Sequence, residues 1–285
     1  GVFANRRASC LLKSYGWRTF FLVCAPVVAI WAPVLLAVLP SDASRRAPSK
    51  ARMAAAEATA TKGSSNNKPP PSVSSIPGVA AVATCYTLTK CPRYCLLFGL
   101  PYLLSTYVLL PPAAAGSVAA LFGLAGALGA MMMGVAVDNF YDGRMLRAAQ
   151  HSLAATGASF GLWALLCHVT QPDVPPSAGA HVAALLAVGF FVAGPGGVCS
   201  SSSRNLVEYA GRAADGALIA AASGLVNGAG SLGAVMQGML APHLLALVGW
   251  SGLFGILALS MVFASLGLLP AITIEKRGLD AKKEQ

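Results

Sequence analysis

Ser223, Asn227 and Ser231 recur every four residues within Ala217 to Val248, a stretch that holds no Asp, Glu, Lys or Arg. Side chains four apart share one face of a helix. A hydroxyl–amide–hydroxyl column can hydrogen-bond a polar solute, and polar groups within a membrane segment usually face a bundle interior or a water-filled cavity. A second polar cluster, Tyr102, Ser105, Thr106 and Tyr107, follows Pro101. Asn227, Ser231, Ser223, Tyr102 and Thr106 are therefore the expected lining of a substrate cavity. No catalytic set, phosphate-cradling glycine loop or metal-ligand spacing is legible, so no catalytic residue, metal or cofactor is expected, and an enzyme is not the expected class. His151, His168, His181 and His243 fall near the ends of apolar runs and read as interfacial residues rather than proton carriers.

The elements that must position these residues are membrane helices. The chain has 285 residues, 56% hydrophobic and 11% charged, whereas a soluble domain carries roughly 25% charged residues. Its twenty Lys and Arg residues give a net charge of +10, yet they lie between the apolar runs or at their edges. That placement fits orientation in a lipid bilayer and lacks the basic stripe of a nucleic-acid binder. The expected partners are lipid and a small-molecule solute. The seven cysteines are scattered, most of them in apolar runs, and read as inert thiols.

Uncharged runs of about 17–25 residues or more predict spans at Thr19–Pro40, Tyr94–Pro112, Ala113–Val137, Ala149–Thr170, Ser177–Cys199, Ala217–Val248 and Trp250–Ile274. Pro111-Pro112 and Gln171–Pro176 break the chain between spans, and Gly249 separates the last two with almost no loop. Ser41 to about Pro77 is rich in Ser, Ala, Asn, Lys and Pro and reads as a disordered linker. Val79 to Leu88 is apolar but too short to span and is expected as a lead-in or interfacial helix. The expected organisation is an exterior loop (1–18), a helix (19–40), a basic central cytoplasmic loop with its lead-in (41–93), a six-helix half (94–274) and a cytoplasmic tail (275–285).

Basic residues in the linker, after the third and fifth spans, and in the tail all fall on one side. The opposite turns hold no Lys or Arg, so the basic side is expected to be cytoplasmic. Arg6, Arg7, Lys13 and Arg18 would then lie outside. That conflict leads us to expect further helices upstream of Gly1, making this the later portion of a longer carrier.

Gly134, Asp138, Gly143 and Arg144 follow the third span, with Arg144 just after an Asp-Gly turn. An acid and a base so placed are expected to clasp neighbouring helices as a cytoplasmic gate. Small residues, among them Gly224, Gly228, Gly230 and Gly233, are expected to let helices pack backbone to backbone.

These residues resemble a known family. Gly16-Trp17-Arg18 is similar to the entry of the sixth helix of major facilitator transporters, and Gly134–Arg144 resembles their motif between the eighth and ninth helices. Phe191-Val192-Ala193-Gly194-Pro195, then Leu225–Ala234, then Gly249-Trp250, resemble the tenth and eleventh helices of the organophosphate:phosphate antiporters. The resemblance implies an all-α integral multi-pass membrane protein with a partial major facilitator fold, from the sixth helix to the C-terminus. It implies a secondary carrier of sugar phosphate or glycerol phosphate by alternating access, with inorganic phosphate or a proton as the coupled species. The membrane would be the plasma membrane, the endoplasmic reticulum or another organelle.

Two departures qualify that implication. Asn227 stands where the family places an aspartate. The seventh helix, expected at Tyr94–Pro112, has no Lys or Arg, and Arg93 is expected about two turns too early, near the membrane surface. The alternatives are a non-transporting scaffold or sensor that keeps the fold, and a carrier of a non-phosphorylated solute.

Overall fold

The computed structural model describes residues 26, 73, 76–170, 177–212 and 215–283. The expected span at Thr19–Pro40 and nearly all of the linker lie outside the described residues. The helices below belong to one compact unit, which contains Ser72–Gln285. They are α1 (Val79–Thr106), α2 (Pro112–Phe140), α3 (Met145–Val169), α4 (Ala178–Tyr209), α5 (Gly216–Gly267) and α6 (Leu269–Lys283). The fold is all-α, and no strand occurs among the described residues.

Helix α1 differs from expectation. It begins at Val79, behind Gly78 at φ 87°, so the stretch expected as a lead-in is the opening of the same helix. It ends at Thr106 rather than Pro112. Three amides close that end: Tyr107 and Val108 donate to Leu103 O at 3.0 and 3.1 Å, and Leu110 donates to Leu104 O at 2.8 Å. Pro112 is then the first residue of α2, where a missing N–H costs nothing.

Four stretches among the described residues are long and apolar enough to cross a membrane: Pro112–Phe140, Met145–Val169, Ala178–Tyr209 and Gly216–Lys282. Helix α1, expected as a span on the strength of its second half, is not among them. Its run contains Lys90 and Arg93, it packs against α4 and α5, and Val82, Leu96, Leu100 and Leu104 are buried in the apolar core.

The Gly216–Lys282 stretch of 67 residues would extend about 100 Å as one rod, against a hydrocarbon core of about 30 Å. Gly249, at φ 66° and ψ −173°, interrupts it in a conformation essentially restricted to glycine. Both arms reach one level of α1. Thr87 Oγ1 donates to Ala229 O at 2.8 Å, and Ser260 Oγ donates to Leu88 O at 3.1 Å. The chain therefore reverses at Gly249, as the last two expected spans require.

Side-chain hydroxyls stitch the remaining helices together. Ser152 Oγ donates to Phe191 O (2.8 Å), Ser251 Oγ to Ala164 O (2.9 Å) and Ser265 Oγ to Gln150 O (3.2 Å). Away from water such bonds fix helix register. The apolar centre holds Trp163 stacked on Phe254 with ring centroids 4.2 Å apart. His181 belongs to this core. It is 1% exposed, and its Nδ1 accepts the Trp163 indole N–H at 3.0 Å, which corrects the interfacial reading of that residue.

Candidate solute site

Because α1 starts at Val79, Arg93 and Lys90 stand at the middle of a 28-residue helix and not at its mouth. Both are half-buried. Lys90 Nζ lies 4.6 Å from the Tyr86 ring centroid, over its face. Glycines on the facing helices leave the space these side chains occupy. A Cβ added at Gly196 of α4 would stand 3.2 Å from Arg93 Nη1, and one at Gly230 of α5 would stand 3.1 Å from Lys90 Cδ. Among the described residues no carboxylate pairs with Lys90 or Arg93. Two half-buried cations with no counter-charge among the described residues favour an anion between α1, α4 and α5.

A polar seam runs where α4 meets α5, about one helical turn from Gly196 and Gly230. Asn227 Nδ2 donates to Ser200 Oγ at 3.3 Å, and the Ser203 and Ser223 hydroxyls share a hydrogen bond at 2.9 Å. Ser231 donates to Asn227 O at 3.0 Å on its own helix. Asn227 and Ser231 are exposed, and the Asn227 Oδ1 has no partner among the described residues. The seam can therefore offer an acceptor and hydroxyls to a solute held by the cations.

Tyr102 and Thr106 lie elsewhere. Thr106 Oγ1 donates back to Tyr102 O at 2.6 Å, and the Tyr102 ring sits 6.1 Å from that of Trp250. Nine residues of helix separate Tyr102 from Arg93, about 13 Å at the helical rise. The structure thus does not bring Tyr102 and Thr106 together with the Asn227 seam.

The gate motif runs from α2 into the turn that follows it. Asp142 and Gly143 form the expected tight turn, with φ of 50° and 77°, and Gly143 N–H donates to Val137 O at 3.0 Å. Asp138 is exposed, and among the described residues neither Asp138 nor Arg144 forms an ion pair. Gly134 faces open space. The acid that engages this corner is Glu275, which is 2% exposed and accepts Leu146 N–H through both carboxylate oxygens, at 3.0 and 3.1 Å. A carboxylate there satisfies one of the orphan amides at the start of α3 and opposes the helix dipole.

Of the four packing glycines, Gly230 and Gly233 are buried against α1, and a Cβ at Gly233 would strike the Thr87 carbonyl. Gly224 and Gly228 have nothing within 4 Å of where a Cβ would stand, so among the described residues they pack against no neighbouring helix.

The sequence reading sets Arg93 too near the membrane surface and does not single out Lys90, Ser200, Ser203 or Glu275. The run Ser200-Ser201-Ser202-Ser203 on an otherwise apolar helix was a legible signal for the α4 side of the seam. Glu275 carried a weaker one, as an acid directly after the last apolar run.

No protein-family model matches the chain. It is similar to a glucose-6-phosphate exchanger of Bos taurus, 27% identical over 192 residues that cover 67% of this chain and 37% of the relative. It is also similar to sugar phosphate exchanger 3 of Xenopus laevis, 25% identical over 203 residues, 71% of this chain and 38% of the relative. An Arabidopsis thaliana protein named for glycerol-3-phosphate transport is 26% identical over 209 residues, 72% of this chain and 40% of the relative. The matched portion is thus well under half the length of these relatives. With its all-α membrane fold, the chain resembles the organophosphate:phosphate antiporters of the major facilitator superfamily over about two thirds of its length.

Proposed function

We propose that this chain forms part of a secondary carrier of a small phosphorylated organic solute, in which Arg93 and Lys90 hold the phosphate and the Asn227 seam holds the remainder. The observation that carries the reading is the pair of half-buried cations at the middle of α1, unpaired among the described residues and given room by Gly196 and Gly230. Guanidinium and ammonium groups bind phosphate strongly when its oxygens accept from several N–H donors at once. The relatives' names, which refer to exchange of glucose 6-phosphate and sugar phosphate and to transport of glycerol 3-phosphate, support the same solute class. Inorganic phosphate is the counter-substrate that one cationic site would accept in exchange. Alternating access of two helical halves about that site is the mechanism such a fold supports. The domain boundaries proposed for this half run from α1 at Val79 to α6, with Asp138, Arg144 and Glu275 at its basic end.

The test is equilibrium binding of labelled inorganic phosphate to the purified chain in detergent, with glucose 6-phosphate as competitor. Loss of one charge-assisted contact, Arg93→Gln, weakens binding by roughly 10- to 100-fold. Asn227→Leu weakens glucose 6-phosphate while leaving inorganic phosphate nearly unchanged. Equal phosphate binding by the native chain and the Arg93→Gln variant refutes the assignment and favours a scaffold that keeps the fold without the site.

A further inference from the structure

A cavity of about 310 Å³ lies between the C-terminal part of α1 and the middle of α5, on both sides of the Gly249 turn. It is separate from the cationic site. Its wall contains the rings of Phe98, Tyr102, Trp250 and Phe254, and no charged residue lines it. Tyr102 and Phe98 are more than half exposed at its edge, so the space is reachable from outside the bundle.

One wall residue is polar in a way its packing does not explain. Gln237 is 8% exposed, lines the cavity, and makes no side-chain hydrogen bond among the described residues. Its amide atoms are not sealed away from the cavity, so the side chain offers a donor and an acceptor that a ligand lying there can meet. Aromatic rings set at an angle to one another, as Tyr102 and Trp250 are at 40°, present apolar faces and edges on which a flat molecule can rest.

We propose that this cavity binds a small, flat, apolar molecule bearing a single hydrogen-bonding group, which meets the Gln237 amide. The volume falls at the lower end of the range for small-molecule pockets. A sugar phosphate is the wrong occupant. Its phosphate would find no cation, and every hydroxyl beyond the first would lose water without gaining a partner. The proposal therefore concerns a second ligand class and does not depend on anion binding at Arg93.

The probes are 2-naphthol and naphthalene, which differ by one hydroxyl, measured by equilibrium dialysis against the purified full chain in detergent with empty micelles as the blank. For the native chain 2-naphthol binds about tenfold more tightly than naphthalene. In Gln237→Leu that advantage disappears while naphthalene still binds, which also shows that the variant is folded. In Gly238→Phe, at a position where a Cβ meets nothing within 4 Å, the new ring fills the cavity and both probes are lost. Ala241→Phe repeats the filling test from a neighbouring wall position. Equal affinity of the two probes for the native chain, absence of binding above the micelle blank, or binding that survives both filling variants overturns the proposal.

Discussion

Replacing Glu275 tests whether α6 is held against the start of α3 by one carboxylate. Both of its oxygens lie within 3.1 Å of the Leu146 nitrogen, and the residue is 2% exposed. Glu275→Ala leaves that buried N–H without an acceptor, at a cost of about 1–3 kcal/mol. It also removes a negative charge from a helix N-terminus, worth up to about 2 kcal/mol in partly buried positions. Relief of the carboxylate's own desolvation offsets part of the sum, and we take a net loss of about 2 kcal/mol. For a chain of this size each kcal/mol moves the unfolding midpoint by roughly 2–4 °C, so Glu275→Ala should melt about 4–8 °C lower. Glu275→Gln keeps one acceptor and loses the charge, so about half of that shift is expected. Thermal unfolding of the purified protein in detergent measures both, with Asp280→Asn, an exposed acid on the same helix, as the control. Hydrogen exchange of the peptide containing Leu146 supplies the local readout and should accelerate selectively. An unchanged midpoint together with unchanged exchange in Glu275→Ala would refute the reasoning.

Two further outcomes follow from the turns. Asp215 caps α5 by accepting Leu218 N–H at 3.0 Å, and that bond, followed by the Arg212 side chain, lowers its pKa below the ordinary value. A depressed carboxylate stabilises the fold above its unfolded pKa of about 3.9, and the benefit fades as pH falls through the lower folded value. The midpoint difference between the native chain and Asp215→Ala should therefore be present at neutral pH and shrink on acidification below about pH 4; a difference that grows instead would contradict the linkage. Gly249→Ala forces a Cβ into a conformation essentially reserved for glycine, costing about 1–3 kcal/mol, and should lower the yield of folded protein and its midpoint. A wild-type midpoint would show that the arms turn without that strain.

Much of the helical layout was legible because hydrophobicity is counted along the chain. The paired prolines set the start of α2, the Asp-Gly turn closed its end, and Gly249 marked the reversal of α5. The Ser223–Asn227–Ser231 column was legible as one helix face, although its α4 partners were not. The start of α1 was misread for a physical reason. Two cations three residues apart interrupt an apolar run, and the room for them is made on other helices, at Gly196 and Gly230. Composition groups Tyr102 and Thr106 with Asn227, while the helical rise carries them about 13 and 20 Å from Arg93.

By itself the sequence determined that this chain lives in a bilayer, which stretches are helical, where they turn, and which transporters it resembles. Those properties follow from local composition, proline and glycine placement, and short motifs. Only the tertiary structure decided which polar residues meet. It placed Arg93 and Lys90 at mid-helix among glycines, joined Asn227 to Ser200, and set Glu275 at the start of α3. The Leu146–Glu275 pairing alone spans 129 residues of sequence. The free energy of a buried charge or amide depends on what lies within a few ångströms in space, and spacing along the chain does not encode that neighbourhood.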